Sequence, residues 1–425
     1  MEEYIVIIKN DNKYNFVSIF NPKTGSYLRT GILDENGIDT GVDPFMASFP
    51  ELLDIGIMQT CMCAGKCNVD CYQKAISRTG PNMSIENFEK IMKQSKGKLF
   101  QCALGGAGDV DTHENFEEIV KMCRDYNIVP NFTTSGIMMN KKKAEICKKY
   151  CGAVAVSQHS KLKKMIVWKY KDGMTEEELK EEYNPYIENF ENIHTIYLNH
   201  SWYLTNEVID SKDKCFRILY VEDESSYTYK AIECLLRENV KTSIHFVLGK
   251  SSIDEAIFRV KNNAFPQGIN AVVFLLYKPV GLGRKENVLD VNNIKVKEFF
   301  KAVDKCNTTF KIGFDSCSCP GLVNFTKNIN LDSVDFCEGG RFSAYIDANM
   351  NMMPCSFANQ DPSWSMSLNE YSIQEIWDSK IFDKFRYPLK NSCKKCPNQK
   401  VCAGGCPLVN EITLCNSKNR DFQGG

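Results

Sequence analysis

Between residues 60 and 73 the chain reads TCMCAGKCNVDCYQ, placing four thiols, Cys61, Cys63, Cys67 and Cys71, just ahead of Tyr72. A second array starts at Cys393 and reads CKKCPNQKVCAGGC, a C-x2-C-x5-C-x3-C spacing through Cys396, Cys402 and Cys406, with Cys415 nine residues further on. Soft thiolates in tight loops, with no histidine nearby, suit tetrahedral iron or zinc. The Gly404–Gly405 pair lets the backbone approach a bulky inorganic core. Upstream, FCEGGRFSAYIDANMNMMPC sets Cys337 and Cys355 on either side of a predicted hairpin, and FDSCSC supplies Cys317 and Cys319. Taken alone, this C-terminal region is also compatible with a zinc ribbon.

The chain has 20 cysteines. Its first residues, MEEYIVIIKNDNKYNF, read as neither a signal peptide nor an Arg-rich transit peptide, so a cytosolic setting is expected. A reducing cytosol does not maintain a disulfide framework, so metal ligation is the leading use for the clustered thiols. The scattered ones, Cys102, Cys123, Cys147, Cys151, Cys215, Cys234 and Cys306, read as small buried hydrophobes. Lys plus Arg number 52 against 53 for Asp plus Glu, so no basic field favours nucleic acid as a partner. No run of eighteen apolar residues predicts a membrane span, and the expected location is cytoplasmic.

The elements that must position these thiols follow from apolar periodicity. Six strands are predicted, at LLDIGIM (52–58), LFQCALG (99–105), VPNFTTS (129–135), AVAVSQ (153–158), SIHFVLG (243–249) and AVVFLLY (271–277). Helical patterns lie between them, such as SIENFEKIMKQS, which Ser84 can cap, HENFEEIVKMCRDY and YTYKAIECLLREN. Strand then helix, repeated, predicts an α/β fold with a parallel sheet. Residues 1–48 read as a small β-meander with turns at NDNK, NPKTG and DENG. Residues 160–224 are too long for a crossover and read as an insertion, with a basic aromatic run KLKKMIVWKYK, an acidic helix TEEELKEEY and a strand candidate IHTIYL.

Together the two cysteine arrays resemble those of radical S-adenosylmethionine (SAM) enzymes with a C-terminal SPASM domain, of the kind that matures ribosomally made peptides. The resemblance spans residues from about 50 to the end. It implies a partial (β/α)6 barrel over 49–305 and a SPASM domain over 306–425 holding two auxiliary 4Fe-4S clusters. One would take Cys393, Cys396, Cys402 and Cys415; the other Cys337, Cys355, Cys406 and an upstream thiol, with Cys317 preferred over Cys319. In that family three cysteines after the first strand, usually C-x3-C-x2-C, hold a cluster with one iron open to SAM. Here the nearest fit is Cys63, Cys67 and Cys71, spaced C-x3-C-x3-C, with Cys61 as rival to Cys63. The last gap is one residue longer than the family pattern, and Asp70 stands where an aromatic is common. Met350 stands where the family usually has glycine, a change expected to alter the hairpin turn.

The same resemblance implies SAM contacts. ALGGAGD after the second strand is similar to the GGE motif, which points to Gly105 and Gly106; Asp109 is displaced from the usual Glu. TTSG is similar to a third-strand element and points to Ser135, VAVSQ points to Ser157, and FVLG points to Val247. Tyr72 is expected near the adenine. Of the five histidines, His159 is the one to watch, at the mouth of the proposed barrel. No general base is assigned.

The implied activity is reductive cleavage of SAM to a 5′-deoxyadenosyl radical, which abstracts hydrogen from a precursor peptide to form a thioether or carbon-carbon crosslink. An auxiliary cluster would take the released electron, and flavodoxin or ferredoxin would supply electrons. Two alternatives stand beside it: a related enzyme that oxidises Ser or Cys to formylglycine, and a non-catalytic zinc-binding scaffold.

Overall fold

The computed structural model describes residues 6–41, 44–65, 67, 69–169, 193–198, 201–206, 217–330, 333–359, 361–387, 393–394 and 396–415. Strands β1 (Ile7–Asp11), β2 (Phe16–Phe20) and β3 (Tyr27–Gly31) form the expected meander, antiparallel in the order β1-β2-β3. Alternation decides its inner face: Phe16, Ser18 and Phe20 of β2 are buried. Phe20 packs on Phe100, with ring centroids 5.4 Å apart. Arg29 crosses from this sheet to Glu51 (2.8 Å) and Glu338 (2.8 Å), tying the meander to segments far along the chain.

The main sheet is built from β4 (Leu52–Met58), β5 (Gln101–Gly106), β6 (Val129–Thr134), β7 (Val154–Ser157), β12 (Thr242–Leu248), β13 (Ala271–Leu276) and β14 (Lys311–Phe314). Each pairs in parallel with the next in this order. The outward phase, including Leu53, Ile55, Leu104, Phe132, Val156, Ile244 and Phe274, is buried in one core cluster beneath the crossover helices. Four of those helices begin at side-chain caps. Ser84, Asn140, Ser226 and Asn293 accept backbone N–H bonds from Asn87, Lys143, Tyr229 and Lys295, satisfying donors that a helix start leaves open.

All six strands read from the sequence are present. The seventh, β14, was not anticipated: four residues at a sheet edge carry too short a pattern to stand out. The insertion holds a separate antiparallel sheet, β11-β8-β10-β9, made of β8 (Lys163–Lys169), β9 (Ile193–Leu198), β10 (Ser201–Asn206) and β11 (Arg217–Val221). Its β9 is the strand candidate IHTIYL, and the basic aromatic run contains β8. The acidic helix TEEELKEEY and Cys215 lie outside the described residues.

C-terminal strands extend the main sheet rather than forming their own. β15 (Ser343–Ile346) pairs in parallel with β4, Ser343 opposite Leu52, and β16 (Asn351–Met353) and β17 (Met366–Ser367) follow antiparallel. The β15–β16 turn places Met350 at φ 67 with its side chain buried. This is the left-handed region that favours glycine, so the Met-for-Gly departure sits at the turn itself. Among the described residues, no helix is long and apolar enough to cross a membrane.

Candidate functional site

The first cysteine loop leaves the C-terminal end of β4 and lies on the glycines at and just past the end of β5. A Cβ on Gly106 (φ 122) would collide with the Met58 backbone, and one on Gly108 with the Thr60 carbonyl. Both glycines are therefore needed for close approach of the loop. Within it, Cys67 N donates to the Cys63 carbonyl at 3.2 Å and Ala64 N to that of Cys61 at 3.1 Å. The far end is clamped: the Cys71 carbonyl accepts from Lys74 N (3.2 Å) and Leu282 N (3.0 Å), and Gly281 has no room for a side chain against it. Asp70 accepts from the Tyr277 hydroxyl at 2.8 Å and pairs with Arg284 at 3.3 Å. Its place in the sequence marked it only as a departure; here it anchors the loop.

Burial raises the Cys61 thiol pKa, with Cys63, Asp109 and Cys71 close enough to add to the shift. The Tyr227 hydroxyl is raised by burial and by Cys67, Cys63 and Asp109, and lies 3.2 Å from His159 Nδ1. His159 thus stands at the edge of the cysteine loop, held by the N-terminal turn of the helix Tyr227–Arg237. Asp109 accepts from both the backbone N–H (2.7 Å) and hydroxyl of Ser135. Burial raises its pKa, with the Ser135 bonds opposing.

Several inward-phase residues of the main sheet, among them Asp54, Gly105, Ser157 and His245, are partly open, in contrast to the closed outward phase. Gly105 lies opposite Gly56, and Ser157 opposite His245. Val247, the next inward position along β12, is 48% exposed. The His245 Nδ1 and Thr133 Oγ1 are 3.2 Å apart, and burial lowers the His245 pKa to about 4, leaving it neutral near pH 7. Asp54 occupies the inward phase of β4, and burial raises its pKa to about 7. Neither residue was singled out from the sequence. The available signal was a lone acid at the inward phase of an otherwise apolar strand, LLDIGIM.

Among the C-terminal thiols, Cys317, Cys337, Cys355 and Cys406 share one neighbourhood. Cys317 and Cys406 are in hydrogen-bond contact, and Cys337 and Cys355 lie within electrostatic reach of Cys317. Burial pushes Cys337 up to about 12 and raises Cys355 further. Cys319 turns elsewhere: its thiol contacts Cys402 and donates to the Val401 carbonyl at 3.1 Å. Cys396 N bonds the Cys393 carbonyl at 3.0 Å, and Cys415 N that of Thr413 at 3.0 Å. Among the described residues, no three or more His, Cys, Asp or Glu side chains converge as ligands of a single metal ion. Around Cys317 the thiols of Cys406, Cys337 and Cys355 nevertheless gather, Cys406 buried and the others half-buried. Burial holds such thiols protonated until a thiophilic metal displaces the protons, and an iron-sulfur core fits that chemistry.

Tyr72 joins the two sides. Its ring centroid lies 4.7 Å from that of Phe357, and burial, followed by Asp54, raises its hydroxyl to about 12, with Cys71 and Cys355 both contributing. The next residue, Gln73, accepts from Asn359 at 3.2 Å and Arg78 at 2.9 Å. Lys278, just past β13, donates to Asp315 at 2.6 Å and to the Leu276 carbonyl at 2.9 Å. Burial works against its charge, but Asp315 and Cys317 more than offset this and its pKa is raised.

A singly wound parallel sheet, closed at one side by C-terminal strands and carrying cysteines at its strand ends, defines a partial barrel joined to a cysteine-rich domain. Residues 337–397 match SPASM, an iron-sulfur cluster-binding domain, so this segment is a SPASM domain. The whole chain shares its fold with Streptococcus suis SuiB bound to precursor peptide SuiA, at 14% identity and TM-score 0.61, covering 97% of this chain and 98% of that one. SuiB bound to S-adenosylmethionine gives TM-score 0.62 at 14% identity, covering 96% and 95%. Native anSMEcpe with bound AdoMet and Kp18Cys peptide gives 0.52 at 16% identity, covering 84% and 89%. No curated protein matches the chain in sequence.

Proposed function

We propose that the chain is a radical SAM–SPASM peptide maturase that crosslinks a ribosomally made precursor peptide through a thioether or carbon-carbon bond. The observation that carries this reading is Tyr72, which follows the last cysteine of the first loop, lies within electrostatic reach of Asp54 in the barrel and of Cys355, and packs on Phe357 of the SPASM domain. A peptide held there lies between the two thiol sets. Support also comes from the shared fold with structures that hold S-adenosylmethionine and a peptide.

When bound, SAM and its cluster supply a 5′-deoxyadenosyl radical that takes one hydrogen atom from the peptide. Cys63, Cys67 and Cys71 are the proposed holders of that cluster, with Cys61 as rival to Cys63. Gly105, Gly106, Ser135, Ser157, Val247 and Tyr72 line the proposed SAM site. Cys317, Cys337, Cys355 and Cys406 form one auxiliary cage; Cys393, Cys396, Cys402 and Cys415 form the other. Crosslinking removes two hydrogens: one leaves as an atom, the other as a proton and an electron, and a cluster held by one of these cages would take that electron. Flavodoxin or ferredoxin is the proposed donor to the first cluster, and the cytoplasm the proposed location.

Anaerobic reconstitution tests the reading. Three 4Fe-4S clusters predict about twelve irons per chain, SAM-dependent release of 5′-deoxyadenosine, and a peptide product lighter by two hydrogens per link. Peptide oxidised without a link would favour the formylglycine chemistry; zinc in place of iron would overturn both.

A further inference from the structure

We propose that Lys278 is a positioning residue for electron transfer: its buried ammonium, oriented by Asp315, raises the reduction potential of the cluster held by Cys317, Cys337, Cys355 and Cys406. The inference rests on the auxiliary-cage reading above and assigns a role to residues outside the cysteine motifs.

The geometry is specific. The Lys278 side chain is 3% exposed. Of the three N–H donors an ammonium carries, one goes to Asp315 Oδ2 (2.6 Å) and one to the Leu276 carbonyl (2.9 Å). The Nζ also lies 4.4 Å from the centre of the Phe357 ring. Asp315 is itself fixed, accepting from Leu276 N at 3.1 Å through Oδ2 and from the Ser318 hydroxyl at 2.8 Å through Oδ1. It stands at the start of the turn Ser316–Ser318 that presents Cys317, its backbone carbonyl accepting from Ser318 N at 2.9 Å. The ion pair is therefore built into the segment that delivers one proposed ligand, and Lys278 is within electrostatic reach of both Cys317 and Cys406.

Reduction adds one negative charge to a cluster. In a water-poor interior a fixed cation beside the sulfurs favours the reduced state, and nearby charge and hydrogen bonds to sulfur set cluster potentials. A purely structural pair is the competing explanation. Burying Lys and Asp together is seldom a net stabilisation over apolar residues of similar size, so stability alone does not account for a pair placed against the thiols.

The test is an anaerobic redox titration of the reconstituted full-length chain with dithionite, followed by electron paramagnetic resonance, alongside an iron assay. Lys278→Met is expected to lower the equilibrium constant for reduction of one cluster at least tenfold, 59 mV for one electron, at unchanged iron content. The signals of the other two clusters serve as internal references. Lys278→Arg is expected to keep the wild-type potential, and Asp315→Asn to shift it upward, because the carboxylate is lost while the ammonium stays. A merely structural pair would not move the two variants in opposite directions. Lys278→Met with full iron and an unshifted potential overturns the inference while leaving the cluster reading intact. Should Lys278→Met lose iron, Asp315→Asn decides: an upward shift supports the inference, and no shift or a downward one overturns it. Wild-type protein that binds no iron at these cysteines overturns both.

Discussion

Tyr72 and Phe357 pack with ring centroids 4.7 Å apart and planes inclined by 36°. One ring directly follows the last cysteine of the first loop, and the other stands two residues after Cys355 in the SPASM domain. Aromatic pairs at this spacing add about 0.5–1.5 kcal/mol beyond the area they bury. The contact fixes two thiol sets, distant in sequence, against one barrel interior. Lys278 reaches the other side of this junction through its own contact with Phe357.

Glycines beneath the first loop give a direct steric prediction. A Cβ at Gly108 meets backbone, the Thr60 carbonyl and Cys61 Cα, which cannot rotate away as a side chain can. Gly108→Ala is expected to displace the loop, costing about 1–3 kcal/mol as an overpacking change and removing the four irons of the first cluster. Gly37→Ala, whose Cβ meets nothing within 4 Å, is expected to retain them despite its positive φ. Iron analysis and urea unfolding check both variants.

Two interior groups predict opposing pH dependences. Asp54 titrates near 7 in the folded chain against about 3.9 when unfolded. The folded state therefore binds the extra proton, and Asp54's contribution to stability is lost as pH rises from about 4 to about 7. His245 titrates near 4 folded against about 6.5 unfolded, so its contribution is lost as pH falls through the same window. Asp54→Asn should leave the His245 dependence exposed, with stability rising relative to wild type as pH increases from about 4 to 6.5, by up to about 1.4 kcal/mol per unit. Urea unfolding midpoints across that range are the measurement, and parallel wild-type and variant profiles would contradict it.

Met350 sets strain against burial. A left-handed backbone costs an L-residue about 1–2 kcal/mol, which glycine would relieve. Its side chain is only 1% exposed, and truncating a buried Met costs about 2–5 kcal/mol. Burial is the larger effect, so Met350→Gly is expected to destabilise the chain by about 1–3 kcal/mol. Thermal unfolding of the reconstituted protein reports the sign.

Sequence pattern reached the main sheet because parallel strands buried between helices carry near-continuous apolar runs, as in LLDIGIM and AVVFLL. Ser84 was legible as a helix start because capping is local. β14 was not, having four residues at an edge, and neither was the β4–β15 pairing, which depends on contacts between chain ends. The thiol arrays were visible from spacing alone. The separate orientations of Cys317 and Cys319 came only with tertiary structure, because neighbouring thiols on one turn look alike in sequence. Asp54 and His245 are single polar residues whose meaning depends on which way their strands face.

The insertion yields a binding prediction. Its β9 is an edge strand of the four-stranded sheet, and edge strands accept extended peptides by adding a strand. We propose that it contributes to recognition of the precursor peptide. Glu222 must be kept in any deletion, because it pairs with buried Arg259. Replacing residues 163–221 by a short Gly/Ser linker is expected to weaken peptide affinity at least tenfold, about 1.4 kcal/mol, with SAM cleavage retained. Titration calorimetry measures the change; unchanged affinity would place the peptide in the cleft between barrel and SPASM domain.

The central claim is that the first cysteine loop holds the SAM-cleaving cluster. The most direct measurement combines iron content and 5′-deoxyadenosine release from the anaerobically reconstituted triple variant Cys63→Ala, Cys67→Ala, Cys71→Ala. Loss of one cluster of three predicts about eight irons and no 5′-deoxyadenosine, with Cys61→Ala and Cys63→Ala made singly to identify the first ligand. Retained SAM cleavage in the triple variant would contradict the account.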